Sequence, residues 1–282
     1  MISRRSLALL AGSAALVTGL GVPGIGAARA ADAAESTFER IKRTKKLRIG
    51  GIAGGEPYYH KDIVAGKWSG FCIDMATDLA SQFDAELEVV ESTWGNAVLD
   101  LEANKIDIMF GVNPTPKRAF VIDFCKPLFT NAFTILAKKG FEPKTWAELN
   151  DPKVKIAVDI GSSHDAIARR LCPKAEIVGF KTADEATLAL QTGRVDAQVL
   201  VVILSLTMLK KNPNVGQLIV LQPLMGTTTN PGVRKEADKS FRDFVDVWVD
   251  YNRSIGQIRS WVTKNLELVG VQASDIPPAV NF

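Results

Sequence analysis

The stretch Lys105 to Pro127, KIDIMFGVNPTPKRAFVIDFCKP, decides how the rest of the chain is read. Ile106 to Phe110 is a short run rich in apolar residues, the pattern of a β-strand. Asn113-Pro114-Thr115-Pro116 follows at once, and its prolines stop either helix or strand from continuing. Upstream, Leu47-Arg48-Ile49 reads as a first strand, and Ile73, Ala76, Leu79, Ala80 and Phe83 form the apolar face of a helix after it. Leu87 to Val90 is a second strand and Ala97 to Leu101 opens a second helix. One α/β lobe is therefore nearly complete by about residue 130.

Downstream of the strand-like Ala132 to Ala137 and the turn Gly140-Phe141-Glu142-Pro143, the alternation starts again. Strands are expected at Val154 to Val158, Ala175 to Val178 and Ala197 to Val202, with helices at Ser163 to Leu171 and Ala183 to Gln191. Leu218 to Leu221 and the Gly/Thr-rich stretch Gly226 to Gly232 come next. Two amphipathic helices follow, near Lys235 to Tyr251 and Gly256 to Lys264, with Phe241, Phe244, Trp248 and Trp261 on helical spacing as core residues. The fold class is α/β around a mainly parallel sheet. Residues 36–133 plus 226–282 are expected to form one lobe and residues 134–225 the other, joined by extended segments near Ala132–Lys139 and Met225–Val233. A cleft between lobes is where small ligands bind.

Arg4-Arg5, the apolar run from Leu7 to Val22 and Ala28-Arg29-Ala30 read as a signal peptide cut after Ala30, residues 1–30. Ser3-Arg4-Arg5 also fits the twin-arginine pattern, with the general secretory route as the alternative. The run is shorter than a membrane span and is broken by Gly12, Gly19 and Gly21. Of 34 Lys and Arg and 31 Asp and Glu, three arginines and no acid lie in residues 1–30, so the mature chain is balanced and has no basic field for nucleic acid. Cys72, Cys125 and Cys172 are too scattered for a disulfide framework and are expected as buried thiols, with one bridge as the alternative that export allows.

Enzyme signatures are mostly missing. No P-loop and no G-x-S-x-G elbow is present, and His60 and His164 are too few for an ordinary zinc site, so no metal and no cofactor is expected. Gly50-Gly51 and Gly54-Gly55 miss the dinucleotide pattern and read as a tight loop.

Several motifs in order resemble the bacterial extracellular solute-binding proteins of family 3, the polar amino-acid receptors of ABC importers. They are Gly70-Phe71-Cys72-Ile73-Asp74, Asp107 to Gly111, Thr115-Pro116-Lys117-Arg118 and Asp123-Phe124-Cys125-Lys126-Pro127. Gly161-Ser162-Ser163 and Gly193-Arg194-Val195-Asp196-Ala197 extend the resemblance over the mature chain. It implies a two-lobed periplasmic-binding-protein fold of type II with a hinge, a monomer in the periplasm, a small carboxylate ligand and a permease partner in the membrane.

Within that resemblance Arg118 clamps the ligand carboxylate, because a guanidinium is a planar fork matching two carboxylate oxygens. The other reading of Arg118 is a surface arginine paired with Asp123. Gly111 lines the site, Asn113 stands where Ser or Thr is usual, Trp94 is an aromatic platform, and Ser163 meets the carboxylate at a helix start. Val201 occupies the place of the acid that pairs with an α-ammonium, and Ile52 and Gly55 replace side chains that usually contribute. Either Asp159 takes over the cation or the ligand lacks an α-amino group. Two alternatives to a transport receptor stand beside it: an exported dehydratase-like enzyme on the same fold, with Glu56 or Asp159 as its acid, and a ligand-sensing partner of a membrane receptor.

Overall fold

A computed structural model describes residues 35–277, so the expected leader and its cleavage point lie outside the described residues. Ser36 caps the first helix, its Oγ accepting from the Glu39 amide, and Lys45 ends it in the left-handed region. In chain order the first part runs α1 (Thr37–Thr44), β1 (Lys46–Ile52), the small hairpin β2 (His60–Lys61) and β3 (Trp68–Ser69), α2 (Phe71–Ser81), β4 (Glu86–Ser92) and α3 (Ala97–Glu102). It continues through β5 (Ile108–Val112), α4 (Pro116–Ala119), β6 (Ile122–Phe124) and β7 (Phe129–Ala137). The second part is α5 (Trp146–Leu149), β8 (Lys155–Asp159), α6 (Ser163–Leu171), β9 (Glu176–Phe180), α7 (Ala183–Gln191), β10 (Ala197–Val201), α8 (Val202–Lys211) and β11 (Gln217–Ile219). Finally come β12 (Gly226–Arg234), α9 (Ser240–Ser254) and α10 (Gln257–Leu268).

The strand order is β4-β1-β5-β12-β7-β10-β8-β9, with β6 on β12 and β11 on β7. The sheet is mixed, where a mainly parallel one was expected. β1, β4 and β5 pair in parallel, as do β8, β9 and β10, whereas β7 and β12 run antiparallel to their neighbours. These two long strands carry the chain between the two α/β lobes. Gly226 to Thr229 pair with Phe129 to Ala132, after which β12 turns to β5 and β6 and β7 turns to β10 and β11. The β12 register shifts between Asn230 and Gly232, around Pro231, which has no amide hydrogen to give to a ladder. The Gly/Thr-rich stretch is therefore a strand.

Gly50 and Gly51 lie inside β1, not in a loop. A Cβ at Gly50 would come 2.6 Å from Met109 Sδ, and one at Gly51 2.6 Å from Val89 Cγ1, so close packing requires the glycines. The acidic residues of the motifs turn out to fasten elements. Buried Asp107 accepts from Arg40, Arg48 and the Arg48 amide; Asp74 accepts from Asn265 on α10, and Asp123 pairs with Lys239. Phe83 and Phe244 pack at 4.8 Å and Trp248 stacks on Trp261 at 6.0 Å, so the C-terminal helices cover the first lobe. All three cysteines are free and buried.

Candidate ligand-binding cleft

The first-lobe wall starts where β5 ends. Gly111 has φ of +82°, and a Cβ there would meet Tyr58 Cδ1 at 2.9 Å and Trp94 at 3.3 Å. Tyr58 is buried, takes a 2.8 Å bond from Asn131 Nδ2, and meets the Trp94 ring edge-on at 5.6 Å. Thr115 caps α4 and Pro116 opens it, which turns the chain so that Arg118 folds back over the strand end. Its guanidinium donates to Asn113 O at 3.0 Å, Trp94 O at 3.2 Å and Gly161 O at 3.1 Å. Asp123 is engaged by Lys239, so the surface pairing for Arg118 is not formed.

The second-lobe wall is the loop from β8 into α6. Ser162, not Ser163, is the N-cap, its Oγ accepting from the His164 and Asp165 amides. Ser163 Oγ is thereby available and donates 2.8 Å across the cleft to Asn113 Oδ1, while Asn113 Nδ2 donates to Thr228 O. Asp159 ends β8, and its Oδ1 accepts from Ser162 Oγ at 3.0 Å and His164 Nδ1 at 2.8 Å. The Val201 amide donates to His164 Nε2 at 3.2 Å, so the ring proton sits on Nδ1 and points at Asp159. His164 was not singled out as a site residue; read only as a possible metal ligand, it gave no signal beyond lying five positions after Asp159. Here it ties β8 to the start of α8.

Burial pushes the Asp159 carboxyl up, but the His164 and Ser162 hydrogen bonds and the field of His164 outweigh it and hold the group below the ordinary carboxylate range. A folded-state pKa below the unfolded one contributes stability above the ordinary carboxylate value that is lost as pH falls through the folded one. Acid titration of folding is expected to show this loss, and Asp159→Asn to flatten it while lowering neutral-pH stability by about 1–3 kcal/mol. Arg118 is brought down to about 10 by burial, partly offset by the field of Asp159. Affinity for a carboxylate with no group of its own titrating there is expected to hold through neutral pH and fall as pH rises past about 10. Calorimetric titration over that range checks it.

Trp94, Asn113, Arg118, Ser163 and Val201 enclose a cavity of ≈ 10 Å³. It adjoins, at Trp94 and Leu204, a cavity of ≈ 300 Å³ lined also by Ile52, Gly55, Asp159 and Asp184. All six expected residues thus surround one cleft, five on the small cavity and Asp159 on the larger. The lobes touch through glycines: a Cβ at Gly95 would strike Ile160 O, and one at Gly54 would strike Asp184 Oδ2. Lys211 of α8 reaches Glu56 at 2.6 Å, and His60 holds the other Glu56 oxygen at 2.6 Å. Among the described residues no cluster of His, Cys, Asp and Glu is placed to hold a metal ion.

Two α/β lobes on a pair of crossing strands, with an arginine and a helix start facing each other, are the architecture of a binding protein that closes on its ligand. Residues 47–164 match the family of bacterial extracellular solute-binding proteins, family 3. ABC transporter arginine-binding protein 1 of Escherichia coli is 28% identical over 148 residues, which is 52% of this chain and 60% of that protein. Cyclohexadienyl dehydratase of Pseudomonas aeruginosa is 25% identical over 257 residues, covering 89% of this chain and 94% of the enzyme. Among solved structures, an ancestral amino acid-binding protein described as a precursor of cyclohexadienyl dehydratase is 30% identical, with a TM-score of 0.72, covering 83% of this chain and 99% of the other. The chain belongs to the bacterial extracellular solute-binding proteins of family 3, with the two-lobed type II fold.

Proposed function

We propose that the mature protein is a periplasmic receptor that captures a small carboxylate-bearing solute, an amino acid or a derivative of one, and delivers it to an ABC-type permease. The single observation carrying this is Arg118, a partly buried guanidinium bonded to three main-chain carbonyls, one of them in the opposite lobe. A carboxylate entering the cleft exchanges those neutral acceptors for a charged, two-oxygen one, which gives shorter and stronger bonds. The same exchange takes place as the lobes meet, so occupancy and closure are coupled. The arginine-binding and glutamine-binding relatives support the amino-acid class.

A thermal-shift panel of carboxylates and their neutral amides on the mature protein tests this. A ligand at a hundredfold its Kd stabilises by about 2.7 kcal/mol, or roughly 5–10 °C for a chain of this size. Carboxylates should shift the midpoint and amides should not; equal shifts from both would remove Arg118 from the account.

The dehydratase relative motivates a second reading, a lyase acting on a cyclohexadienyl carboxylate. Such chemistry needs a general acid that carries its proton near neutral pH. Asp159 is held ionised by His164 and Ser162; for Glu56, burial is outweighed by Lys211 and His60, and its carboxyl lies below the ordinary range. Both expected acids thus favour a binding protein. Incubation with a cyclohexadienyl carboxylate should leave it unconsumed; turnover would establish the enzyme.

A further inference from the structure

The polarity of the cleft is unequal along its length. Around Arg118 the small cavity presents the polar groups of Asn113, Ser162, Ser163 and His164, the rings of Tyr58 and Trp94, and the aliphatic side chains of Val201 and Leu204. No carboxylate lines it among the described residues. Asp159 stands behind Ser162 and His164, both of which are bonded to its Oδ1. An ammonium on the carbon next to the clamped carboxylate would therefore be buried among aromatic, aliphatic and neutral polar side chains with no carboxylate beside it, a costly arrangement.

Beyond Trp94 and Leu204 the balance reverses. The ≈ 300 Å³ cavity is lined by Asp159, whose second oxygen accepts from no other described residue, and by Asp184, which makes no side-chain hydrogen bond or ion pair among the described residues. Glu91 on the same wall is matched by Lys61 at 2.5 Å, and Lys211, whose field reaches Asp184, is itself bonded to Glu56, which leaves Asp159 and Asp184 on a wall whose own cation, Lys181, is exposed. Burial lifts the Asp184 carboxyl above its ordinary range by more than the field of Lys211 lowers it, so a further cation arriving there draws it back down. The Trp94 ring, shared by both cavities, adds an attractive face for a cation passing between them.

Resting on the receptor function proposed above, we infer that the ligand is a carboxylate with its cationic group at the far end of the molecule and none on the α-carbon. That class is the ω-amino and ω-guanidino acids, with Arg118 on the carboxylate and Asp159 and Asp184 receiving the cation. Specificity then lies in Val201 and Leu204 as much as in the acids, since they exclude an α-ammonium.

Calorimetric titration of the mature protein with matched compounds separates the possibilities: lysine, ε-aminocaproate and caproate, and arginine beside its des-amino analogue. The expected order has ε-aminocaproate at least tenfold tighter than both lysine and caproate, and des-amino arginine at least tenfold tighter than arginine. Asp184→Asn should weaken ε-aminocaproate and so shrink the gap between ε-aminocaproate and caproate. Lysine or arginine binding as tightly as its des-amino partner overturns the inference while keeping the receptor. Equal affinity for caproate and ε-aminocaproate removes the distal cation site. If no carboxylate of any kind binds, the receptor function falls with it.

Discussion

Arg118→Ala is expected to weaken carboxylate binding by about 2–5 kcal/mol, roughly 30- to 4,000-fold in Kd, because the ligand anion would be enclosed without its partner. The fold should survive, since Arg118 is only partly buried and its hydrogen bonds go to loop carbonyls that water can reach when the cleft opens. Arg118→Lys should recover part of the loss. Lysine restores the charge but not the fork that spans two oxygens. Titration of the three proteins with one ligand, beside melting curves without ligand, separates lost binding from lost folding. Undiminished affinity in the alanine variant would show that the carboxylate is held elsewhere.

Gly95→Ala is expected to act on closure without touching the ligand. The backbone of Gly95 lies outside the left-handed region, so alanine is tolerated locally, but its methyl group would collide with Ile160 O of the opposite lobe. Relieving an overpacked contact costs about 1–3 kcal/mol, here charged to the closed form alone, or roughly 5- to 150-fold in affinity. The loss should appear as faster ligand release, since the first-lobe site is intact and only the covering lobe is held off. Small-angle scattering should show a smaller ligand-induced compaction than in the wild type. A variant that compacts and binds like the wild type would show that Gly95 and Ile160 do not meet in the ligand-bound protein.

Where local periodicity decides structure, the sequence was readable. The helices Ser163–Leu171 and Ala183–Gln191 fall where their apolar spacing and polar starts place them, and the two rounds of strand and helix give the two lobes. The extended character of both segments was legible, but the mixed sheet was hidden because β7 and β12 find their antiparallel partners far along the chain. Gly50 and Gly51 misled for the same reason: their smallness answers to Met109 and Val89, which no local pattern connects to them.

The site divides in the same way. Arg118, Gly111 and Trp94 lie in or near a compact stretch whose chemistry is explicit, and all three meet at the cleft. The bond between Asn113 and Ser163, and that between His164 and the Val201 amide, join residues tens of positions apart. Only folding reveals that His164 consumes one face of Asp159, or that Ser162 takes the capping role and leaves Ser163 to cross the cleft. Val201 was legible as a missing acid and Asp159 as a candidate in its place, but not Asp184 on the neighbouring cavity.

The most direct measurement is a crystal structure of the mature protein with the most strongly stabilising carboxylate. The ligand carboxylate should lie within hydrogen-bond distance of the Arg118 guanidinium, between Asn113 and Ser163, with Gly95 and Ile160 in contact across the closed lobes. A ligand outside this cleft, or one that meets Arg118 through a group other than its carboxylate, would contradict the account.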